Sequence, residues 1–240
     1  MSNSLEALIV IPARYNSSRF PGKPLMKING IPMIQRTYNQ AVKNKYTTNI
    51  VVATDSEKIK SFCEDNKIPS IITGECETGT DRVAEVSKMM PNFDCYVNLQ
   101  GDEPVISPKS IDKCIELYYK HFPKYSLVTG YGELSSDEAL LSQTVKVVFN
   151  SNEEAMYFSR SPIPNNSKIF FNHIGIYCFS KDILNHFTNT PRGSNEISEQ
   201  VEMIRMVEMG VKIKMFKMKK TFAVDIPSDI KNVEKFLNQK

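Results

Sequence analysis

The chain has 240 residues, of which 41% are hydrophobic and 24% charged, and this is the composition of a globular protein large enough to build its own core. A formal net charge of +3 is too small to predict binding to nucleic acid or to an anionic membrane. The 5 cysteines are widely spaced without a C-x-x-C pair, which excludes a zinc ribbon and predicts free thiols. The first apolar run, Ala7–Ile11, is too short for a signal peptide or a membrane span, so we expect a cytoplasmic protein.

The first half of the chain alternates short apolar runs with segments of helical period. Strands are predicted at 7–12, 49–54, 70–73 and 94–99. Helices are predicted between and after them, at 32–45, 56–66, 80–89 and 108–121. This alternation predicts an α/β fold with a Rossmann-like, doubly wound, mostly parallel sheet. Ligands of such sheets bind beyond the carboxyl ends of the strands.

The second half has more strands and shorter links. Strands are predicted at 126–131, 145–149, 156–159, 172–179 and 211–216, with a short extended piece at 224–225. Helices are predicted at 180–187, 198–209 and 228–238. Neither a linker nor an internal repeat divides the chain. We therefore expect a single domain over residues 1–240, with a β-rich excursion at about 126–170.

Positive charge is concentrated near the N-terminus, because the segment from Ala7 to Thr54 carries seven cations and no acid. Three of these cations, Arg14, Arg19 and Lys23, lie in the loop that follows the first strand. The guanidinium groups of two arginines and the ammonium of a lysine, placed in such a loop, are suited to bind the phosphates of a triphosphate. The loop matches neither G-x-G-x-x-G nor the P-loop pattern, so a dinucleotide or P-loop site is not predicted. The alternative is a solvated basic loop.

Two further segments carry polar groups at predicted strand or helix ends. The run 98–104 ends a buried strand in a turn with two carboxylates, and Asp102 facing a triphosphate loop would suit Mg²⁺. Taken alone, Asp102 is equally a turn or capping residue. The run 78–82 opens a helix with small residues at its positive end. Its alternative is an N-cap followed by a surface arginine.

Several motifs together resemble the 3-deoxy-manno-octulosonate (Kdo) cytidylyltransferase family, also called CMP-Kdo synthetases. The resemblance begins with IPARYNSSRFPGKPL at 11–25 and spans nearly the whole chain. The later matching runs are VVATDSEKI (51–59), TGTDRVAEV (78–86), YVNLQGDEPVI (96–106), VKVVF (145–149), YFSRSPIP (157–164), NHIGIYCF (172–179) and VDIPSDI (224–230).

The resemblance implies transfer of CMP from CTP to the anomeric hydroxyl of a 2-keto-3-deoxy sugar acid, with release of pyrophosphate, for lipopolysaccharide or capsule synthesis. It implies Mg²⁺ as the cofactor, held by Asp102 and Asp225, and a homodimer in which the β-rich excursion serves sugar binding or dimerisation. The implied catalytic residues are Arg14, Lys23, Asp102 and Asp225. The implied nucleotide-binding residues are Pro12, Ala13, Arg14, Arg19, Lys23, Thr78, Gly79, Arg82 and Asp102. The implied sugar-binding residues are Gln100, Arg160, His173, Tyr177, Glu199 and Glu202.

One departure from the family pattern bears on the sugar. The link at 165–171 is shorter than is usual in the family, and the chain contains no tryptophan. A close analogue of Kdo, such as its 8-amino derivative, is therefore an alternative substrate. Two other readings stay open, a cytidylyltransferase for a sialic-acid-like nonulosonate and a non-catalytic nucleotide-sensing module.

Overall fold

The computed structural model describes residues 6–16 and 20–239. In this part of the chain the strands are β1 (Ala7–Ala13), β2 (Lys27–Ile28), β3 (Ile31–Pro32), β4 (Ile50–Thr54), β5 (Ser70–Ile72), β6 (Cys95–Leu99), β7 (Leu127–Leu134), β8 (Lys146–Phe149), β9 (Ala155–Ser159), β10 (Phe170–Phe179) and β11 (Ile213–Lys217). The α-helices are α1 (Met33–Ala41), α2 (Glu57–Asp65), α3 (Gly79–Met89), α4 (Pro108–His121), α5 (Ser136–Ala139), α6 (Lys181–Asn189), α7 (Ser194–Glu199), α8 (Met203–Glu208) and α9 (Asp229–Asn238). A 3₁₀ turn at Lys23–Leu25 follows the basic loop.

The central sheet has the strand order β11-β7-β10-β6-β1-β4-β5. β1 pairs in parallel with β4 and β6, β4 with β5, and β11 with β7. β10 is antiparallel to both of its neighbours in this order, β6 and β7. The short strands β8 and β9 extend from β10 as an antiparallel ribbon. The predicted α/β fold with a mostly parallel sheet and a β-rich excursion is confirmed.

Both faces of the sheet are covered, because successive side chains of a strand point to opposite faces. In β1, Ile9 and Ile11 belong to the core on the side of α1, α2 and α4, whereas Leu8 and Val10 belong to the core on the side of α3, α6 and α8. All four side chains are at most 1% exposed. This burial explains why β1 is an unbroken apolar run and why helices lie on both sides.

A smaller apolar cluster brings the C-terminal segment to the edge of the sheet. Phe20, Ile28 and Met33 from the N-terminal region pack there with Val224 and Val233. The Val224 amide donates a hydrogen bond to the Asp102 carbonyl at 3.0 Å. These contacts place the segment before α9 directly beside the turn that follows β6.

The structure corrects three of the predicted elements. The single helix predicted at 198–209 is two short helices, since α7 ends at Glu199 and Gln200 adopts a left-handed conformation with φ 52°. The helix predicted at 32–45 ends at Ala41, and the extended piece predicted at 224–225 is not a strand, since Asp225 lies in a bend. Within residues 6–16 and 20–239, the helices lack the combination of length and apolarity that crossing a membrane requires.

Candidate active site

A first cavity of about 500 Å³ opens beyond the carboxyl ends of β1 and β6. Most of the residues assigned to nucleotide and metal lie on its walls, together with some of those assigned to the sugar. The assigned residues that line this cavity are Pro12, Ala13, Arg14, Lys23, Thr78, Gly79, Arg82, Gln100, Asp102, Arg160, Glu202 and Asp225. Arg19, which was predicted to bind the triphosphate, lies outside the described residues.

A second cavity of about 350 Å³ adjoins the first. His173 and Tyr177 of β10, both predicted to bind the sugar, line it. Asp102 and Asp225 line both cavities, and no other described residue does so. The two predicted metal ligands therefore stand at the boundary between the two spaces.

The turn after β6 approaches β1 closely, and this approach requires glycine. A Cβ added at Gly101 would lie 2.8 Å from the carbonyl oxygen of Pro12. Real Cβ atoms do not approach a backbone oxygen so closely, and a fixed backbone cannot move away. Gly101 thus lets Gln100 and Asp102 stand directly beside the end of β1 and the start of the basic loop.

Lys23 joins the two aspartates. Its Nζ lies 2.7 Å from Asp102 Oδ2 and 3.7 Å from Asp225 Oδ1. It also donates a hydrogen bond to the carbonyl oxygen of Val224 at 2.9 Å. The structure therefore brings a cation of the N-terminal segment and two carboxylates from distant parts of the chain to one point.

The position of Asp225 is fixed from its own side of the cavity. The amides of Asp225 and Ile226 both donate to Asp229 Oδ2, at 2.8 and 3.0 Å. Asp229 begins α9, so the first turn of this helix holds the segment that carries Asp225. Sequence reasoning did not single out Asp229.

Glu103, the second carboxylate of the turn, is buried with 4% exposure. Burial, together with the nearby charge of Asp102, raises the pKa of Glu103 to about 8. Its Oε2 accepts a hydrogen bond from the Thr221 hydroxyl at 2.8 Å. Glu103 is therefore tied to the chain just before Val224 and borders only the second cavity, whereas Asp102 lines both.

The backbone amides at the start of α3 already have hydrogen-bond acceptors within the chain. The amides of Gly79 and Thr80 donate to the two carboxylate oxygens of Glu202, each at 3.2 Å. Thr78 caps the helix by accepting from the Asp81 amide at 3.1 Å. Burial raises the pKa of Glu202. Thr78 and Gly79 do line the cavity, but the two helix amides face Glu202 rather than an open anion site.

Arg82 is more deeply buried, and has more contacts within the chain, than the sequence suggested. It is 2% exposed, and its guanidinium pairs with Asp55 Oδ2 at 2.6 Å and contacts the Thr73 hydroxyl. Its positive charge is therefore compensated by a carboxylate at the end of β4. Arg82 borders the cavity as part of its wall, joined to β4 and to the segment after β5.

Arg160 and Glu199 are also held by the chain. The Arg160 Nε donates to the Glu199 carbonyl at 2.8 Å, and its terminal nitrogens donate to the carbonyls of Ser142, Gln143 and Gln200. The Glu199 carboxylate accepts from the Ser159 hydroxyl and from the Arg160 amide, each at 2.7 Å. Arg160 borders the first cavity, but Glu199 lines neither of the two. Its position does not support the predicted contact between Glu199 and the sugar.

A buried lysine that sequence reasoning missed stands behind Arg160. Lys146 of β8 is 0% exposed, and its Nζ donates to the carbonyls of Leu141, Thr144 and Arg160 at 3.0, 2.6 and 2.5 Å. Burial lowers the pKa of Lys146, and the charge of Arg160 lowers it further. The signal that was available is a lysine inside an apolar strand, VKVVF, where a charge needs internal partners.

His173 is neutral and has a defined tautomer. Burial lowers its pKa to about 3. Its Nε2 lies 3.0 Å from the Thr129 hydroxyl oxygen, and that hydroxyl gives its own hydrogen to the Ile176 carbonyl at 2.7 Å. Nε2 must therefore carry the hydrogen, which leaves Nδ1 as an acceptor. The ring packs edge-on against Phe158 and Tyr177.

Comparison with known proteins gives one consistent family. The sequence matches the cytidylyltransferase family over residues 8–235. It is 38% identical to 3-deoxy-manno-octulosonate cytidylyltransferase of Escherichia coli, covering 98% of this chain and 97% of the relative. It is also 38% identical to 8-amino-3,8-dideoxy-manno-octulosonate cytidylyltransferase of Shewanella baltica, covering 97% of this chain and 99% of the relative.

The fold of a solved member agrees over the same length. The structure of CMP:2-keto-3-deoxy-manno-octonic acid synthetase complexed with CTP superposes with a TM-score of 0.91 at 37% identity. It covers 98% of this chain and 99% of the other. A cytidylyltransferase from Leptospira borgpetersenii, at 17% identity and a TM-score of 0.68, shares the fold.

Proposed function

Because the chain belongs to the cytidylyltransferase family, we propose that it transfers CMP from CTP to the anomeric hydroxyl of a 2-keto-3-deoxy sugar acid. The new bond joins the hydroxyl oxygen to the α-phosphorus, the bond to the β-phosphate oxygen breaks, and pyrophosphate leaves while the hydroxyl proton is released. Relatives that match over nearly the whole chain are named for such sugar acids. The product would serve lipopolysaccharide or capsule synthesis.

The observation that carries this proposal is the position of Asp102 and Asp225 between the two cavities. A nucleotidyl transfer needs the α-phosphate of one substrate and the hydroxyl of the other at a single point. With CTP in the first cavity and the sugar acid reaching into the second, both reacting groups would meet at this carboxylate pair.

The residues at this point suit Mg²⁺. Two carboxylates, each about a quarter exposed, already hold a cationic group between them. Magnesium is commonly bound by one or two carboxylates together with substrate phosphates and water. Asp102 and Asp225 would hold the ion, and when bound it would polarise the α-phosphate and lower the pKa of the attacking hydroxyl.

The nucleotide would lie along the basic loop. Arg14 and Lys23 border the first cavity near the end of β1, where their charges would neutralise the triphosphate and then the departing pyrophosphate. Pro12, Ala13, Thr78 and Gly79 would contact the nucleoside side of CTP. Arg82 would act mainly through the shape of the wall, because Asp55 already compensates its charge.

The sugar acid would lie between Gln100 and β10. The Nδ1 of the neutral His173 would accept a hydrogen bond from a sugar hydroxyl, and the Tyr177 hydroxyl would contact another. Arg160 and Glu202 border the first cavity, where the anionic end of the sugar would approach CTP. Kdo and its 8-amino analogue both remain candidates, because relatives named for each are 38% identical to this chain.

We also propose a cytoplasmic homodimer formed through the β-rich excursion. All five cysteines are free thiols, which persist in a reducing compartment.

Large apolar side chains of the excursion are exposed, namely Leu140 at 71%, Met156 at 58% and Ile169 at 58%. Burying such side chains in a second copy would stabilise a dimer.

A pyrophosphate-release assay tests the function. The protein is supplied with CTP, Mg²⁺ and one of Kdo, 8-amino-Kdo or sialic acid, and the CMP-sugar is identified by mass spectrometry. We expect stoichiometric pyrophosphate and CMP-sugar with one of the two octulosonates. Turnover with sialic acid alone would favour the nonulosonate alternative. CTP binding without turnover on any of the three would favour a nucleotide-sensing module.

A further inference from the structure

The Lys23 ammonium occupies the place between Asp102 and Asp225 that the metal ion would take. We propose that Lys23 and Mg²⁺ exclude each other at this carboxylate pair, so that the metal ion enters together with CTP, whose phosphates then receive the ammonium. The inference rests on the proposed function, since it uses the same two aspartates as metal ligands. It adds that the metal ion binds together with CTP, and it gives Lys23 the further role of keeping the ion out of the free protein.

The first step of the argument is the geometry. The ammonium lies between the two carboxylates, 2.7 Å from Asp102 Oδ2 and 3.7 Å from Asp225 Oδ1. A magnesium ion binds carboxylate oxygens at about 2.1 Å, and it would lie against the same oxygens. Two cations at this point would repel each other strongly, because the side chains are only partly exposed to water.

The second step is the small number of ligands that the chain offers. Among the described residues, no group of three or more histidine, cysteine, aspartate and glutamate side chains could hold a metal ion. Magnesium requires about six ligands in near-octahedral geometry. Two carboxylates supply too few, so phosphate oxygens and water must complete the set. The free protein thus holds Lys23 between the aspartates, and the loaded protein would hold the metal ion.

The third step is where the ammonium goes. The backbone at Lys23 is held on both sides, because its amide donates to the Phe20 carbonyl at 3.2 Å and its carbonyl accepts from the Met26 amide at 3.1 Å. The side chain is long, and it borders the first cavity together with Arg14. A rotation of the side chain alone would move the ammonium from Asp102 to a phosphate oxygen. The carboxylates are neutralised by a cation both before and after the exchange.

The exchange predicts that CTP and the metal ion strengthen each other's binding. By linkage, the factor by which CTP raises the affinity for the ion equals the factor by which the ion raises the affinity for CTP. Removing the Lys23 charge should open the aspartate pair to the ion without nucleotide. The same change should weaken CTP binding, because a phosphate partner is lost.

Mn²⁺ binding followed by electron paramagnetic resonance tests the exchange without any turnover. The free-ion signal is titrated with the full chain, with and without CTP and in the absence of sugar acid, for wild type, K23M and K27M. Lys27 is an exposed lysine of the neighbouring strand β2, so K27M makes the same change in net charge. K23Q, which keeps a donor for the Val224 carbonyl, replaces K23M if the latter does not fold.

Without CTP, we expect K23M to bind Mn²⁺ about tenfold more tightly than wild type, and K27M to stay within about twofold of wild type. With CTP, the affinity of wild type should rise about tenfold, and the rise should be smaller in K23M. Equal Mn²⁺ affinities of K23M and wild type without CTP would overturn the exchange. So would a K27M variant that gains as much Mn²⁺ affinity as K23M does. Pyrophosphate assays judge the proposed function separately: if wild type turns over no sugar acid while K23M gains Mn²⁺ affinity, the function fails and the exchange stands.

Discussion

Two groups of charged side chains lie at or behind the cavity walls, and the protein holds them in different ways. Lys23 contacts the side chains of Asp102 and Asp225 and one backbone carbonyl, that of Val224, and the three side chains are 15%, 26% and 25% exposed. Lys146 and Arg160 donate instead to several backbone carbonyls, and Lys146 is completely buried. In the exchange proposed above, the first group changes partners when a ligand binds. The second group is part of the wall.

The difference follows from what happens to the acceptor oxygens of each group when the donor side chain moves away. A carboxylate that loses an ammonium at a partly exposed position regains water or a metal ion. A backbone carbonyl that loses its donor inside the protein stays unsatisfied, at a cost of about 1–3 kcal/mol. Substitutions in the first group should therefore change ligand binding and turnover, whereas substitution of the buried Lys146 should change stability.

The largest effect is expected for Asp102→Asn. This variant keeps the size of the side chain but removes one of the two carboxylates at the boundary between the cavities. We expect kcat to fall by about 10³-fold or more, with a free energy of unfolding near that of wild type. Steady-state kinetics with saturating CTP and sugar acid measure the first quantity, and urea unfolding measures the second.

Asp65→Asn is the matched control for this change. Asp65 is exposed at the end of α2 and takes no part in either cavity, so kcat should stay within about twofold of wild type. A near-normal kcat for Asp102→Asn would show that the Asp102 carboxylate is not needed for turnover, and this would contradict the proposed metal site.

The next effect is expected for Lys146→Met, which tests the second group. The change removes the Lys146 donor from the carbonyls of Leu141, Thr144 and Arg160, of which the Leu141 carbonyl keeps a hydrogen bond from the Thr144 amide. We expect a loss of about 2–4 kcal/mol in the free energy of unfolding, measured by urea denaturation. Lys212→Met, at an exposed position before β11, should change it by less than about 0.5 kcal/mol. Similar stabilities of the two variants would mean that the three bonds do not hold the wall.

The sequence predicts the first group well and the second group poorly, and the reason is physical. Asp102 and Lys23 each follow an apolar strand, so the rule that ligands bind beyond the carboxyl ends of parallel strands places them at one edge. Asp225 lies far away in the chain, and only the resemblance to a known family joined it to them. The structure then brings all three to one point.

The partners in the wall depend on tertiary contacts that periodicity does not reveal. The predicted helix at 198–209 has suitable apolar spacing, yet the chain turns at Gln200. Three glutamates around this turn are each bound to a different element: Glu196 to Arg205 of α8, Glu199 to the end of β9 and Glu202 to the start of α3. Exposed glutamates on one long helix and inward-bound glutamates on two short helices look the same in sequence.

The smallest effect is expected for His173, which extends the comparison to the second cavity. Like Lys146, this side chain is held by internal partners, namely the Thr129 hydroxyl and the two aromatic rings. Its pKa of about 3 in the folded protein lies far below the value of about 6.5 in the unfolded chain. Between these values the unfolded chain binds the extra proton. The stabilisation is therefore present above pH 6.5 and is lost as the pH falls from there toward 3.

Wild type should thus lose about 2 kcal/mol more of its free energy of unfolding between pH 7 and pH 5 than His173→Gln does. Glutamine keeps a donor for the Thr129 hydroxyl but does not titrate in this range. His186→Gln, at an exposed position of α6, should keep the pH dependence of wild type. If His173→Gln and wild type lose the same stability on acidification, the imidazole accepts a proton in the folded state. The second cavity would then be able to change its charge rather than serve as a fixed wall.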